Sequence, residues 1–420
     1  MREHTTHGNN SAVLRNFRID NFKSLVDFSL PPDLGQLTCL IGLNGSGKST
    51  LLHAFDFIGH LVTGKVDDWL KRREWQKSDL TSRFLKKQLI TFRLGFDFPQ
   101  FGRVEWEGSF NVTLLRCTAE TIRAGGREVL RIVEGELRVA MAKDGIAMET
   151  IFPLSGLVFQ GSVLSFLNTS EYHTATHAVK EFASHLRSLD MLSPHLMRKR
   201  AKDADDVGYG GERLSAYLHG FSKRAKARLL TTLQDFYEQV EGWETSALRA
   251  GWKDLRVREH YLDAHGKPLE TLARHLNDGM LRVLAILAQT QTGSKSIWNN
   301  KNDLEASEQQ DYRCLLFDEI ENGINPEIIE KLINHLLEAK QQIIVTSHSP
   351  MILNYLPDEV AHQSVVLLYR TSEGKSRAVR FFDLPEPKHK LQLLGPGEVF
   401  VDTDLVVAAQ VAEEQRSAKQ

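Results

Sequence analysis

The stretch that most restricts the fold is Gly42-Leu43-Asn44-Gly45-Ser46-Gly47-Lys48-Ser49, which fits G-x-x-x-x-G-K-[ST] at every fixed position. The apolar run Leu37–Ile41 precedes it, and Leu51, Leu52, Phe55 and Ile58 follow at helical spacing, so the order is strand, glycine loop, helix. In that setting the glycines let the backbone curl until successive N–H groups and the helix N-terminus face a β-phosphate. Lys48 is then placed to reach β- and γ-oxygens and Ser49 to ligate Mg²⁺, with Asn44, Gly45, Ser46, Gly47 and Thr50 completing the cradle for ATP. The alternative is a glycine-rich turn that happens to precede a helix.

Farther along, Cys314–Phe317 is an apolar run ending in Asp318 and Glu319. A buried strand of this kind delivers acids to the C-terminal edge of a parallel sheet, where phosphate loops also lie. There Asp318 would hold Mg²⁺ through water, and Glu319 would orient and deprotonate an attacking water. Alone, the pattern is equally that of a plain strand end. Ile328, Ile329, Leu332, Ile333, Leu336 and Leu337 then form one apolar helix face, with Asn325 as expected N-cap and Pro326 in the first turn. A second apolar run at 343–346 leads into Ser347-His348-Ser349-Pro350. Strand, helix, strand means a parallel pair, which puts His348 at the same edge; a capped loop histidine is the plainer reading.

Residues 276–282, Leu-Asn-Asp-Gly-Met-Leu-Arg, open a helix that is apolar nearly all round through Met280, Leu281, Val283, Leu284, Ile286 and Leu287. Asn277 is its expected cap, and N–H groups around Gly279 are left to meet an anion. Asp278 is awkward beside phosphate, because two anions repel; it points away or the site is weakened. An ordinary capped helix is the alternative.

Between these motifs, Phe17 and Ile19 alternate with Arg18 and Asp20 in a half-buried strand at 13–22. Ile90, Phe92, Leu94, Phe96 and Phe98 alternate with Thr91, Arg93, Gly95 and Asp97, predicting antiparallel sheet over 88–150. Helical patterning follows at 165–250, with basic clusters at Arg198, Lys199, Arg200 and Lys202 and at Lys223, Arg224, Lys226 and Arg228; these are solvated faces or phosphate contacts. No heptads persist, so no long coiled coil is expected. Residues 291–311 read as an exposed loop. The layout expected is a flexible leader at 1–12 and one α/β domain at 13–401. That domain has a nucleotide-binding core at 13–60 and 312–370, a β lobe at 88–150 and a helical lobe at 165–290; a C-terminal tail follows at 402–420, of which the last few residues, 414–420, are expected to fray.

A chain of 420 residues needs no staples to bury a core. Cys39, Cys117 and Cys314 are far apart and lack metal-ligand spacing, which argues against a disulfide framework or a zinc site. The formal net charge of −2 gives no overall field, so any nucleic acid must meet a local patch. Without an 18-residue apolar stretch, and with a polar Met-Arg-Glu-His start, the expectation is a cytoplasmic protein with no membrane contact.

In order and residue type the motifs resemble the ABC-type ATPase heads: an antiparallel β lobe and an inserted helical lobe around a P-loop core. Residues 276–282 are similar to the Leu-Ser-Gly-Gly-Gln signature, with Asn277 in place of serine, Asp278 of the first glycine and Met280 of the glutamine. The resemblance implies ATP hydrolysis between two paired copies, with His348 touching the γ-phosphate and Asn277 and Gly279 approaching it from the opposite subunit. Asn21-Phe22-Lys23-Ser24 is similar to the opening of SMC and RecF-like heads, where Lys23 and Ser24 would approach the nucleotide. Gln160 is a candidate for the glutamine that senses Mg²⁺. The long separation of Ser49 from Leu276, with no coiled coil or membrane segment, is unlike an SMC arm or a transporter.

The segment Asp-Glu-Ile-Glu-Asn-Gly-Ile-Asn-Pro at 318–326 is especially similar to the stand-alone AAA/ABC-type ATPases of the overcoming-lysogenisation-defect (OLD) and RecF-like group, described in bacterial anti-phage defence. OLD nucleases add a C-terminal Toprim domain; residues 351–420 are too few for one, so nuclease activity in this chain is not expected. Two roles follow from the resemblance. One is an ATP-gated sensor and scaffold that holds a separately encoded effector, a nuclease or toxin, as a homodimer or higher oligomer. The other is an ATP-driven clamp on DNA.

Overall fold

The computed structural model describes residues 11–141, 149–189, 193–204, 206–291 and 313–418. The leader expected at 1–12 falls outside them except for Ser11 and Ala12, as does the loop expected at 291–311 except for Gln291. The chain packs as two compact units interleaved in sequence. The first takes residues up to Ser188, then those to Leu316 and those from Gln341 onward; the second takes those from Leu189 to Gln291, then Phe317–Lys340. The second unit includes helix Pro326–Leu337, of which Ile329, Leu332, Ile333 and Leu336 are buried. There Lys331 donates to the Asp235 carbonyl at 2.6 Å and the His335 ring stands edge-on to Phe236.

In the first unit β1 (Val13–Asp20), β2 (Phe28–Ser29) and β3 (Leu37–Ile41) come first, then α1 (Lys48–Thr63) and α2 (Val66–Arg72). Strands β4 (Leu89–Phe98), β5 (Gly102–Asn111), β6 (Arg116–Ala124), β7 (Arg127–Val133), β8 (Glu136–Ala140) and β9 (Glu149–Pro153) follow. They form an eight-stranded antiparallel sheet in the order β2-β1-β4-β5-β6-β7-β8-β9. Its buried face is the alternating set seen in the sequence, and register carries it across strands: Leu94 opposite Trp106, Trp106 opposite Ile122, Ile122 opposite Leu130.

The second sheet of this unit runs Arg187–Leu189, Cys314–Phe317, Gln342–Thr346, β3, Val365–Arg370, Ser376–Arg380. β3 is parallel to both Gln342–Thr346 and Val365–Arg370, and the last two strands form an antiparallel hairpin. Every residue of β3 and of Gln342–Thr346 is buried, as befits a parallel sheet covered on both faces. α1 shares one core with both sheets: Phe55 meets Phe17 of β1 at 4.3 Å between ring centroids, Phe57 meets Phe110 of β5 at 5.1 Å, and Leu40, Ile344 and Val366 belong to the same cluster.

A helix buried on nearly every side makes its polar residues costly. Asp56 of α1, 1% exposed, accepts hydrogen bonds from the Trp69 indole and from Arg73 Nη2 at 2.9 Å. Removing this carboxylate takes the opposite charge away from a guanidinium whose side chain is only 9% exposed. Asp56→Ala is expected to cost ~3–5 kcal/mol, the usual penalty for breaking one side of a buried ion pair. A urea midpoint equal to that of the wild type would refute it.

The second unit carries helices Leu214–His219, Lys223–Phe236 and Asp278–Thr290 with a three-stranded antiparallel sheet of Val240–Ala247, Lys253–Leu262 and Pro268–Leu272. This sheet corrects the helical lobe expected over 165–290. The alternation is hard to see because bulges interrupt it at Val240/Gly242 and Glu259/Leu262, and the outer strand Pro268–Leu272 has no buried residue. Cross-strand pairs such as Trp243 with Val257 supply what local propensity does not.

The tail expected at 402–420 is a helix, Leu405–Ser417, started by Asp404 accepting from the Val406 and Val407 amides and tied to the first unit by Arg416 to Asp27 at 3.0 Å. No helix among the described residues is long and apolar enough to cross a membrane.

Candidate functional site

β3 ends at Ile41 and the chain turns through Gly42, Gly45 and Gly47, all at positive φ, before α1 begins at Lys48. Two of these glycines are required sterically as well as conformationally. A side chain at Gly42 would collide with the Leu368 carbonyl oxygen, and one at Gly47 with the Ser376 hydroxyl. The Ser46 amide closes a turn onto the Leu43 carbonyl at 3.1 Å, leaving Leu43, Asn44 and Gly45 exposed at the crest. Lys48, 6% exposed, folds back under the loop and donates from Nζ to the carbonyls of Gly42 at 2.7 Å and Leu43 at 3.2 Å. Ser49 is exposed and Thr50 half-buried in the first turn of α1. Ser46 Oγ is buried with no hydrogen-bond partner among the described residues. A curled glycine loop at a helix N-terminus, one buried cation and an orphaned hydroxyl fit the triphosphate of a nucleotide.

His348 reaches the same edge. Thr346 pairs with Leu40 of β3, and the Ser347 amide donates to the Leu40 carbonyl at 3.0 Å, so exposed His348 leaves the sheet where β3 turns into the loop. Ser347 Oγ accepts from the Ser349 amide at 2.9 Å, and Ser349 caps helix Pro350–Asn354, which fixes the short segment bearing the histidine.

The pair Lys23-Ser24 divides. Ser24 Oγ lies 2.9 Å from Ser376 Oγ, which in turn donates to the Ser46 carbonyl of the loop at 2.9 Å. The Lys23 ammonium instead sits 3.1 Å above the Trp75 ring. Gln160 is a correction. Its side-chain oxygen accepts from the Asp67 amide at 3.2 Å, and the adjoining Gly161 is pressed against the Leu61 carbonyl near the far end of α1. Ser49 and Leu61 lie about 18 Å apart along a helix rising ~1.5 Å per residue, so Gln160 is no partner of Ser49 for one metal ion.

The sequence did not reveal Arg370 and Ser376. Arg370 Nε donates to the Gly45 carbonyl at 2.6 Å, so both residues touch the loop from its outer side. Neither belongs to a motif, and no local pattern would have singled them out.

In the second unit, Asn277 caps helix Asp278–Thr290 by accepting from the Met280 amide at 2.7 Å. Gly279 lies so close to the segment after Glu319 that an added side-chain carbon would stand 3.0 Å from the Gly323 carbonyl. Asp278 is turned to Arg198, whose Nη2 meets its carboxylate at 2.6 Å and the Leu276 carbonyl at 2.8 Å. That pairing answers the repulsion expected of Asp278. Asp318 and Glu319 directly follow strand Cys314–Phe317. Glu319 adopts a left-handed conformation, φ 46, rare for a residue with a side chain, and its carboxylate accepts from Asn322 Nδ2 at 3.3 Å. Arg282 lies against Gly323; burial lowers its pKa, while the nearby Asp278 and Glu319 carboxylates favour its charge.

Residues 169–354 match the family described as "AAA domain, putative AbiEii toxin, Type IV TA system", and residues 16–128 match one described as "AAA domain". An OLD nuclease of Thermus scotoductus (strain ATCC 700910 / SA-01) is 35% identical over 108 residues, 26% of this chain and 18% of that protein. The crystal structure of the SmcHead bound to the C-winged helix domain of ScpA shares the fold, with a TM-score of 0.51 at 12% identity over 87% of this chain and 96% of that one. The chain is similar to AAA-domain proteins over both stretches. The glycine loop lies in the match at 16–128, and Asn277, Gly279, Asp318, Glu319 and His348 lie in that at 169–354. The chain spans under one fifth of the OLD nuclease it matches, and the region shared with the SmcHead structure is a fold without close sequence identity.

Proposed function

We propose that this chain binds ATP with Mg²⁺ at the phosphate loop, hydrolyses it between two copies, and uses the cycle to hold and release an effector protein in anti-phage defence. The observation that carries the reading is the loop itself: positive-φ glycines, Lys48 beneath them and the orphaned Ser46 hydroxyl. Lys48 neutralises β- and γ-oxygens, with Asn44, Gly45, Gly47 and Thr50 lining the cradle. Ser49 and Asp318 are the residues that would hold Mg²⁺, the first directly and the second through water; a magnesium site of this kind needs few protein oxygens because phosphates supply the rest. When bound, Mg²⁺ neutralises the charge that develops on the transferring phosphoryl group. Glu319 takes the proton of the attacking water and His348 hydrogen-bonds the γ-phosphate. Asn277 orders the helix start, so that amides around Gly279 meet the γ-phosphate of the other copy.

The toxin named in one family description and the OLD nuclease relative support a role alongside an effector. The DNA-clamp reading has less support, since Arg198 and Arg200 of the first basic cluster are engaged with Asp278 and Asp254. The test is to purify Glu319→Gln from its native host with ATP and Mg²⁺. A stoichiometric protein that leaves when wild-type chain turns over supports the scaffold; nuclease-sensitive DNA without protein favours the clamp. Absence of nucleotide binding by the wild type overturns the ATPase reading altogether.

A smaller effect is expected at the signature helix. Arg198→Ala frees the Asp278 carboxylate, 59% exposed on its side chain, to face the incoming phosphate. ATP-dependent pairing of two copies should weaken several-fold, more at low salt because the repulsion is screened. Unchanged pairing by light scattering at low ionic strength would remove Asp278 from that interface.

A further inference from the structure

The hairpin of Val365–Arg370 and Ser376–Arg380 touches the phosphate loop at three consecutive residues. Arg370 Nε donates to the Gly45 carbonyl at 2.6 Å, Ser376 Oγ donates to the Ser46 carbonyl at 2.9 Å, and Gly47 packs against the Ser376 hydroxyl with no room for a side chain. We infer that this hairpin is a positioning element of the nucleotide site, in which Arg370 and Ser376 hold the loop's carbonyls outward so that its amides stay turned to phosphate. The inference rests on the reading that the loop binds nucleotide.

The argument follows from peptide planarity, which sets C=O and N–H on opposite sides of each unit. The Gly45–Ser46 peptide is fixed at both ends, its carbonyl by Arg370 and its N–H by the Leu43 carbonyl at 3.1 Å. The Ser46–Gly47 peptide is fixed by Ser376, which directs the Gly47 N–H to the opposite, inner side. Glycines have the widest backbone freedom of any residue, so a loop built from them needs an external restraint to present one conformation.

The restraint is itself anchored. Ser376 bonds to Ser24 through both hydroxyls, at 2.9 Å, and through its amide to the Ser24 carbonyl, at 3.0 Å. Arg370 Nη1 donates to the Gly374 carbonyl at 2.9 Å across the hairpin turn, and Ser372 at its tip donates to Glu413 of the C-terminal helix at 3.4 Å. Arg370 thus joins two backbone segments through two different nitrogens, a geometry that a lysine cannot reproduce.

The experiment is nucleotide titration of the full-length chain, wild type, Arg370→Ala and Ser376→Ala, with ATP and separately with ADP, alongside urea denaturation of each. Because Ser376 restrains the peptide that presents the Gly47 amide and Arg370 restrains the peptide before it, both variants should lose about tenfold in affinity for ATP and ADP alike, the scale of one hydrogen bond from a charged donor, while each remains folded in the absence of urea. Arg370→Lys should not restore it. Wild-type affinity in both variants overturns the inference, as does a loss confined to ATP, which would put Arg370 on the γ-phosphate. A loss that appears only because a variant is already partly unfolded without urea overturns it too. Failure of the wild type to bind either nucleotide would instead sink the functional reading on which the inference rests.

Discussion

Lys48→Ala is expected to abolish ATP binding at micromolar concentrations. Lys48 is the cation beneath the loop, held at the carbonyls of Gly42 and Leu43. Hydrogen bonds to charged groups contribute ~1.5–3 kcal/mol each, so losing two phosphate contacts costs about 3–6 kcal/mol. That is at least ~100-fold in Kd. Truncation also removes the Lys48 donor from the Gly42 carbonyl, a lesser effect that appears in the stability of the free chain, while the Leu43 carbonyl keeps the Ser46 amide. Calorimetric titration separates the two, because loss of fold lowers the number of competent molecules whereas loss of the phosphate contact lowers affinity. Wild-type affinity in Lys48→Ala would refute the phosphate-loop assignment.

Glu319→Gln should bind ATP as the wild type does yet turn over ~10²–10⁴-fold more slowly, the range removed with a general base. The substitution preserves shape, and the amide oxygen still accepts from Asn322. It deletes only the capacity to take a proton. The left-handed backbone of Glu319, φ 46, costs ~1–2 kcal/mol in an L-residue, and strain of that size persists where surrounding structure overrides it. Hydrolysis stalled after binding should enrich the ATP-bound dimer, visible as a shift in size-exclusion chromatography under ATP and Mg²⁺ that disappears with ADP. Normal phosphate release by the variant would remove Glu319 from the role of base.

Legibility along the chain followed the range of the interaction responsible. The alternation from Ile90 to Phe98 gave the β lobe because a sheet with one buried face writes its period of two directly into sequence. The same rule failed at 240–272, where few residues are buried and bulges shift the register. Asp278 looked misplaced beside a phosphate-binding helix start until Arg198, eighty residues earlier, was found on its carboxylate at 2.6 Å. Sequence position alone offers Gln160 as the magnesium-sensing glutamine, and the structure sets it near the far end of α1, at the Asp67 amide.

What the sequence determined by itself was the phosphate loop, the helix starts at Lys48 and Asp278, the strands before Gly42 and Asp318, and with them the class of fold. These depend on residues within a few positions of each other: glycines where φ must be positive, a cap one turn before an apolar helix, an unbroken apolar run in a strand covered on both faces. The tertiary structure alone decided which residues restrain the loop from outside, which cation answers Asp278, and where the chain divides into units. Arg370 meets Gly45 across 325 positions and Ser376 meets Ser46 across 330. Such contacts are fixed by the parallel pairing of β3 with Val365–Arg370, a long-range choice made by burying two apolar faces together, and it leaves no periodic trace in the residues it unites.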